Sequence, residues 1–311
     1  MSLTSDRSRA GAHARGDVAR GQTGGTTSRA RRAPIMLHLR RRTEALFWHL
    51  VLLLGGVIMV LPFGWMVSTS LKDTPEAFQF PPMIVPQHWE FSNYVAAWSF
   101  APFARFYLNT FIMSASVTLG QMITCSLAAY AFARLRFPGR DLIFYMFLGT
   151  MMIPGQVTMI PAFLVINWLG WVNTYQAVIV PGLASAFGTF LLRQFFLTLP
   201  RELDDAATID GAGRFTILWR IIIPLSGPAL ATLGIFTFMG VWNSFLWPLI
   251  VENSENMLPV TVGLSVFQGE YSTQWNLMMA AAVTATVPVL IVYVLAQRYF
   301  IRGIALTGLK E

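Results

Sequence analysis

Charge is scarce in this sequence. Asp, Glu, Lys and Arg make up 12% of its 311 residues, where a soluble domain carries about 25%. That deficit excludes an ordinary solvated surface over the whole chain. Cysteine occurs once, as Cys125, so no intrachain disulfide can form, and a lone thiol among apolar residues is usually inert packing. The histidines, His13, His38, His49 and His88, are scattered and give no metal-ligand spacing. No glycine-rich loop ends in Lys-Ser or Lys-Thr, so the chain carries no ATPase of its own. No nucleophile–base pair stands out either, so no catalytic residue, metal or cofactor is expected.

Long apolar runs take the place of charge. They lie at about 46–67, 107–131, 142–168, 175–196, 225–250 and 277–300. A helix of roughly 20 residues crosses the ~30 Å hydrocarbon layer. Helices satisfy every backbone group internally, as lipid requires. A barrel would show alternating segments of about 10 residues, and the sequence has none. The expected fold is therefore an all-α membrane protein with six transmembrane helices.

Net charge +7 would suit nucleic acid, but its distribution does not. All but Lys72 and Arg105 of the 22 Lys and Arg fall in the N-terminal segment, the loops after the second and fourth helices with their helix edges, and the C-terminal end. Positive charge is retained on the cytoplasmic side, so both termini are expected there. No nucleic-acid partner is expected, and contact with anionic membrane lipid is a secondary role. Residues 1–44, rich in Arg, Gly, Ser and Thr, read as a disordered basic cytoplasmic tail. Residues 45–311 read as the membrane domain. No small-residue cleavage site follows the first apolar run, which reads as an uncleaved anchor.

Polar residues inside the apolar runs mark the places to watch. MMIPGQVTMIP in the third run contains Pro154, Gly155 and Pro161, so that helix should kink or unwind near Pro154, with Gln156 at the break. Pore lining and simple kink packing both fit. GVWNSFLWP in the fifth run places Trp242, Asn243 and Ser244 together. An amide and a hydroxyl beside an indole suit a sugar, and equally suit hydrogen bonding between helices. In the loop after the first run, Phe91, Tyr94, Val95 and Trp98 have helical spacing and suggest a short interfacial helix. Trp65, Trp168, Trp171, Trp247 and Trp275 read as an interface belt.

One inside loop, at about 197–224, is too elaborate for a connector. After Pro200, Glu202, Asp204 and Asp205 crowd a first helical turn, where the helix dipole favours negative charge. Ala206 and Ala207 allow close approach to another surface. Gly211 and Gly213 break the helix, and a second amphipathic stretch runs from Arg214 to Pro224. On pattern alone, a docking helix–turn–helix and a loop lying on the lipid surface are both open.

The spacing resembles the cytoplasmic EAA loop of ABC importer permeases: Glu-Ala-Ala, three residues, Gly, nine residues, then Ile-x-Leu-Pro. Here Asp205-Ala206-Ala207 is followed at the same spacings by Gly211 and by Ile221-Ile222-Ile223-Pro224, with Asp205 for Glu and Ile223 for Leu. AAYAFARLRFPGRD, WNSFLWPL and the ending QRYFIRGIALTGLKE are similar to the carbohydrate branch of that family. The resemblance implies an ABC importer permease (MetI-like) fold in the bacterial plasma (inner) membrane. It implies a non-enzymatic subunit that forms half of the pathway for a sugar or sugar-like solute. The implied partners are a second homologous permease, an ATPase dimer and an extracytoplasmic solute-binding protein. Asp205, Ala206, Ala207, Asp210, Gly211, Ile221 and Pro224 would couple to the ATPase. Gln156, Trp242, Asn243 and Ser244 would lie on the substrate pathway, and loop residues 253–269 would meet the binding protein. A secondary transporter is the alternative, but it needs no such loop and normally carries intramembrane charges.

The basic partition generates a topology prediction. With Cys125 replaced by Ala, a cysteine at Ser254 should react with an impermeant thiol reagent on intact cells, and one at Thr216 only after lysis. Labelling of Thr216 from outside would reverse the orientation.

Overall fold

A computed structural model of the chain describes residues 33–269 and 273–308, with side chains for 44–269 and 273–297. Two compact units divide within the first helix, Met1–Val60 and Leu61–Glu311. Helix α1 (Ala33–Ser70) starts inside the segment expected to lack structure; residues 1–32 lie outside the described part. In the first unit the stretch from Leu46 to Val60 is apolar and exposed throughout.

The second unit is helical. After α1 come α2 (Ser92–Phe100), α3 (Phe103–Arg134), α4 (Arg140–Gly149), α5 (Gly155–Trp168), α6 (Tyr175–Gly182) and α7 (Ala186–Thr198). Two short helices follow, α8 (Glu202–Ile209) and α9 (Arg214–Ile217), the latter continuing through a π-helical turn at Leu218–Ile222 as far as Leu225. Next are α10 (Gly227–Trp242), α11 (Leu246–Val251), α12 (Val260–Gly263) and α13 (Trp275–Gly308). Among the described residues the only β feature is a bridge between Gln268 and Thr273.

Four spans are long enough to cross a membrane, and two bent pairs bring the number to six. The expected kink at Pro154 is a fold-back. The helices before and after it, Arg140–Met152 and Gly155–Trp168, meet at 100°. Pro154 cannot donate a backbone hydrogen bond and holds Ile153 extended, so neither side continues the other. The fifth span also differs from the expected single run. It bends by 82° between Leu225 and Gly227. It stops again at Trp242, and α11 resumes only at Leu246. The fourth span is interrupted between Gly182 and Ala186, which hydropathy alone does not show.

Helix α3 is the axis of the second unit. Its C-terminal half packs Cys125, Ala129 and Ala133 against Leu192 and Phe196 of α7, Ile217 of α9 with Leu218 of the turn that follows it, and Leu233 of α10. Gly188 permits the contact: a Cβ there would sit 2.8 Å from Leu233 and 2.9 Å from Cys125 Sγ. Its N-terminal half packs Phe103 and Phe106 with Trp242, Phe267 and the alanines of α13. Gly263 lies so close to Phe106 that a Cβ would meet the ring at 2.3 Å.

Loops knit the end of the unit that is poor in arginine. Asn109 donates to the carbonyls of Asn256 (2.8 Å) and Leu258 (3.0 Å) and accepts from Tyr175 (2.7 Å). Asn173, at φ +61°, accepts from the amides of Asn253 and Ser254, and its own amide reaches the Val251 carbonyl. Lys72 is buried, bonds the Met83 carbonyl at 2.5 Å and lies over the Trp65 ring at 4.5 Å. Helix α2 forms where the helical spacing of that segment predicts it. Asn93 and Ala97 face inward, where Asn93 holds the carbonyls of Ser70 and Lys72, while Phe91, Val95 and Trp98 are exposed. Asn93 anchors the helix because those two carbonyls, at and just after the end of α1, need a donor.

Glu252 sits inside this clasp, 3% exposed, with neither carboxylate oxygen hydrogen-bonded. Burial pushes its pKa up to about 8. The folded state therefore holds a proton that the unfolded chain releases at lower pH. Stability is fullest below the ordinary carboxylate range and falls as pH rises toward 8, by up to about 1.4 kcal/mol per pH unit. Glu252→Gln mimics the protonated group. It should raise the thermal midpoint at pH 8 and flatten its decline between pH 5 and 8; superimposable profiles would contradict this.

Candidate functional site

Two features stand out, a cavity between the broken helices and the loop at the arginine-rich end. The cavity has a volume of about 710 Å3. It lies where α5 starts, where α6 stops and where α10 gives way to α11, and it is lined by Gln156, Thr158, Gly182, Gly240, Ser244 and Trp247 among others. Helix breaks at membrane depth are tolerated where neighbours or a wet cavity serve the freed backbone. Here the neighbours are visible. Gln121 Nε2 donates to the Gly182 carbonyl at 2.7 Å, Thr124 to Leu183, and Thr261 to the Ser244 carbonyl at 2.6 Å. Trp247 Nε1 reaches the Ala177 carbonyl at 3.0 Å.

The expected pathway residues divide. Gln156 and Ser244 line the cavity together, although they are far apart in sequence. Asn243 is exposed, and its amide turns back onto the Met239 carbonyl of its own helix at 2.8 Å. Trp242 is 3% exposed, stacks on Phe238 and donates to the Ala285 carbonyl at 3.1 Å. It is a packing residue between spans, because an indole costs least where its ring is buried and its N–H is bonded. Thr158, on the turn after the break, is a lining residue that the sequence reading missed. Its position one turn-spacing from Gly155 is the signal that would have found it. The lining from this chain carries no charged side chain.

At the other site, α8 ends as its glycine signals predict. Gly211, at φ +80°, donates to Thr208 O (3.0 Å), and the next amide, Ala212, donates to Ala207 O (2.9 Å). This pair of bonds closes the helix C-terminus with a left-handed residue that a side chain would strain. A Cβ at Gly211 would touch nothing, so conformation alone demands glycine there. Ala207 is the one buried residue of α8. Ile217, Leu218 and Ile222 anchor the following stretch in the core, while Ile221 is half-buried and Pro224 exposed. Asp205, Ala206 and Asp210 are exposed, as a docking face requires. Ile209 (87% exposed) and Phe215 (72%) flank the Gly211 turn and were not singled out from sequence. Two apolar side chains bracketing the double glycine were the available signal.

Asp204 behaves differently from Asp205. It turns inward and pairs with Arg134 of α3 at 3.2 Å. Burial raises its carboxyl above the usual range, and Arg134 opposes that rise.

Comparisons with known proteins bear on the family and the fold. Residues 122–306 match the family described as binding-protein-dependent transport system inner membrane component. The chain is 37% identical over 273 residues to the sn-glycerol-3-phosphate transport system permease protein UgpE of Yersinia enterocolitica, covering 85% of this chain and 97% of that one. It is 36% identical over 272 residues to the protein of the same description in Pectobacterium atrosepticum, with the same coverage. A chain of a bacterial ABC transporter involved in the import of the acidic polysaccharide alginate superposes with a TM-score of 0.75 at 25% identity, over 83% of this chain and 97% of that chain. A chain from the bacterial alginate ABC transporter in complex with a pentasaccharide-bound periplasmic protein shares the fold, with a TM-score of 0.61 at 16% identity.

The division among pathway residues is testable by transport assay. Gln156→Leu should weaken transport affinity by up to about tenfold, the worth of one hydrogen bond, with assembly intact. Trp242→Phe should leave that affinity unchanged and lower the thermal midpoint. The opposite pattern would move the pathway to Trp242.

Proposed function

The chain belongs to the family of binding-protein-dependent transport system inner membrane components, and from that premise we propose how its parts share the work of import. It is a membrane-spanning permease subunit of an ATP-binding-cassette importer in the inner membrane, and ATP is hydrolysed by a partner subunit. Our proposal is that α8 and the Gly211 turn, on the cytoplasmic side with both termini, dock in a groove on that ATPase. Asp205 would meet a basic group there, while Ile209 and Phe215 would enter its apolar floor. A second, homologous permease completes the pathway around the cavity that holds Gln156, Thr158 and Ser244. The loop at 253–269 receives the solute-binding protein.

The observation that carries the proposal is the geometry of α8. One face is held to the bundle by Ala207 and Asp204, while Asp205, Ala206 and Asp210 of the same spacing are exposed. The transported solute is a sugar or sugar-like molecule. An uncharged lining of amide, hydroxyl and indole groups suits hydroxyl-rich ligands. Any charge on the solute would have to be met by the second permease.

Transport then follows alternating access. ATP closes the ATPase dimer, and the two docking helices move together. The membrane halves open outward to the binding protein, and hydrolysis resets them.

Co-purification of the ATPase, with solute-stimulated ATP hydrolysis in lipid discs, tests the docking assignment. Gly211→Val forces a branched side chain into φ +80°, at a cost of about 1–2 kcal/mol. It should uncouple or detach the ATPase, as should Asp205→Lys, while Asp205→Glu is tolerated. Normal stimulation in both damaging variants would remove the loop from the mechanism.

A further inference from the structure

The docking face of α8 explains how a force arrives, but not how it leaves. Only one apolar residue of α8, Ala207, is buried. A methyl group is a weak handle for moving a membrane bundle.

The strong handle is Arg134. It is the last residue of α3, 8% exposed overall, with its side chain 2% exposed. Its Nη2 donates to the carbonyls of Phe196 (2.6 Å) and Leu199 (2.8 Å). Both carbonyls lie where α7 ends before Pro200, and the Phe196 carbonyl otherwise receives only the Leu199 amide, at 3.3 Å. Its Nη1 faces Asp204 of α8 at 3.2 Å. One guanidinium thus joins the end of span 2, the end of span 4 and the docking helix. Its planar fork makes this possible; a lysine ammonium has the charge but not the divergent donors. The pair borders a cavity of about 540 Å3 lined also by Arg136, Arg201, Asp205 and Arg214, so α8 is tethered beside open space and not walled in.

Arg193 provides an internal comparison. It crosses between the same two spans in the opposite sense, from α7 to the Phe132 carbonyl at 3.3 Å. Its remaining contacts are the Phe144 ring at 4.1 Å and Asp141 at 3.8 Å, both on α4. It straps the spans together without touching the loop.

We propose that Arg134 is the positioning residue that transmits displacement of α8 to the ends of spans 2 and 4, through Asp204 on one side and the Phe196 and Leu199 carbonyls on the other. This rests on the reading that α8 docks on the ATPase. Removing one partner of a buried pair strands the other, whereas an apolar pair of similar volume is often neutral for stability. The informative variant is therefore the double change Arg134→Met with Asp204→Leu.

The complete importer, reconstituted in lipid discs with its binding protein, is the system to use. The double variant should insert and retain the ATPase on purification, but lose binding-protein-stimulated ATP hydrolysis and uptake by about 5- to 150-fold, the span of a coupling between sites. Arg134→Lys, which keeps the charge but not the fork, should fall between it and wild type. Arg193→Gln should retain stimulation. Wild-type stimulation in the double variant, with ATPase bound, would overturn the role of Arg134 alone. Failure of the unmodified chain to retain the ATPase would overturn the docking assignment and this inference together. Equal losses in Arg193→Gln and the double variant would reduce Arg134 to general strapping.

Discussion

Backbone amides and carbonyls that leave a helix inside hydrocarbon must find another partner, and three of the helix interruptions in this chain meet around one cavity. The interruptions lie before Gly155, after Gly182 and after Trp242. Their placement makes the architecture intelligible. Span 2, Phe103–Arg134, supplies donors to the break after Gly182 through Gln121 and Thr124, and Thr261 serves the break after Trp242. Thr237 donates its hydroxyl to Gln121 Oε1 at 2.9 Å, which fixes the amide. The cavity forms where three interrupted helices leave a space they cannot fill with side chains. The same polar needs that threaten stability in lipid therefore define the cavity.

Much of this was legible in the chain. Six apolar runs predicted the spans, and Pro154 with Gly155 predicted the third break, though not a 100° reversal. The glycine at 211 predicted the left-handed cap that is present at φ +80°. The spacing from Asp205 through Gly211 to Pro224 pointed to the loop. What the sequence hid was direction. Asn243 and Ser244 are neighbours, yet only Ser244 lines the cavity, because the helix ends at Trp242 and Asn243, its cap, spends its amide on Met239. The break after Gly182 was hidden because its partners lie some sixty positions away, on span 2.

The two ends of the unit solve different problems. At one end, asparagines clamp loop to helix through neutral hydrogen bonds, and one buried carboxyl, Glu252, is left without a donor. At the other, arginines tie helix ends to each other and to a short helix that is otherwise barely attached. A partly attached helix with a rigid cap is suited to carrying a displacement as a body. Small movements become large ones where packed elements have discrete alternatives.

The account stands on the cavity being the pathway and on its opening being governed from the loop. Single cysteines at Gln156 and Ser244, in a Cys125→Ala background, measure this directly through their rate of reaction with a small hydrophilic thiol reagent added from outside. In the assembled importer both should be slow without nucleotide and much faster when the ATPase is trapped closed with ATP. Rates that are the same in both states at both positions would contradict it.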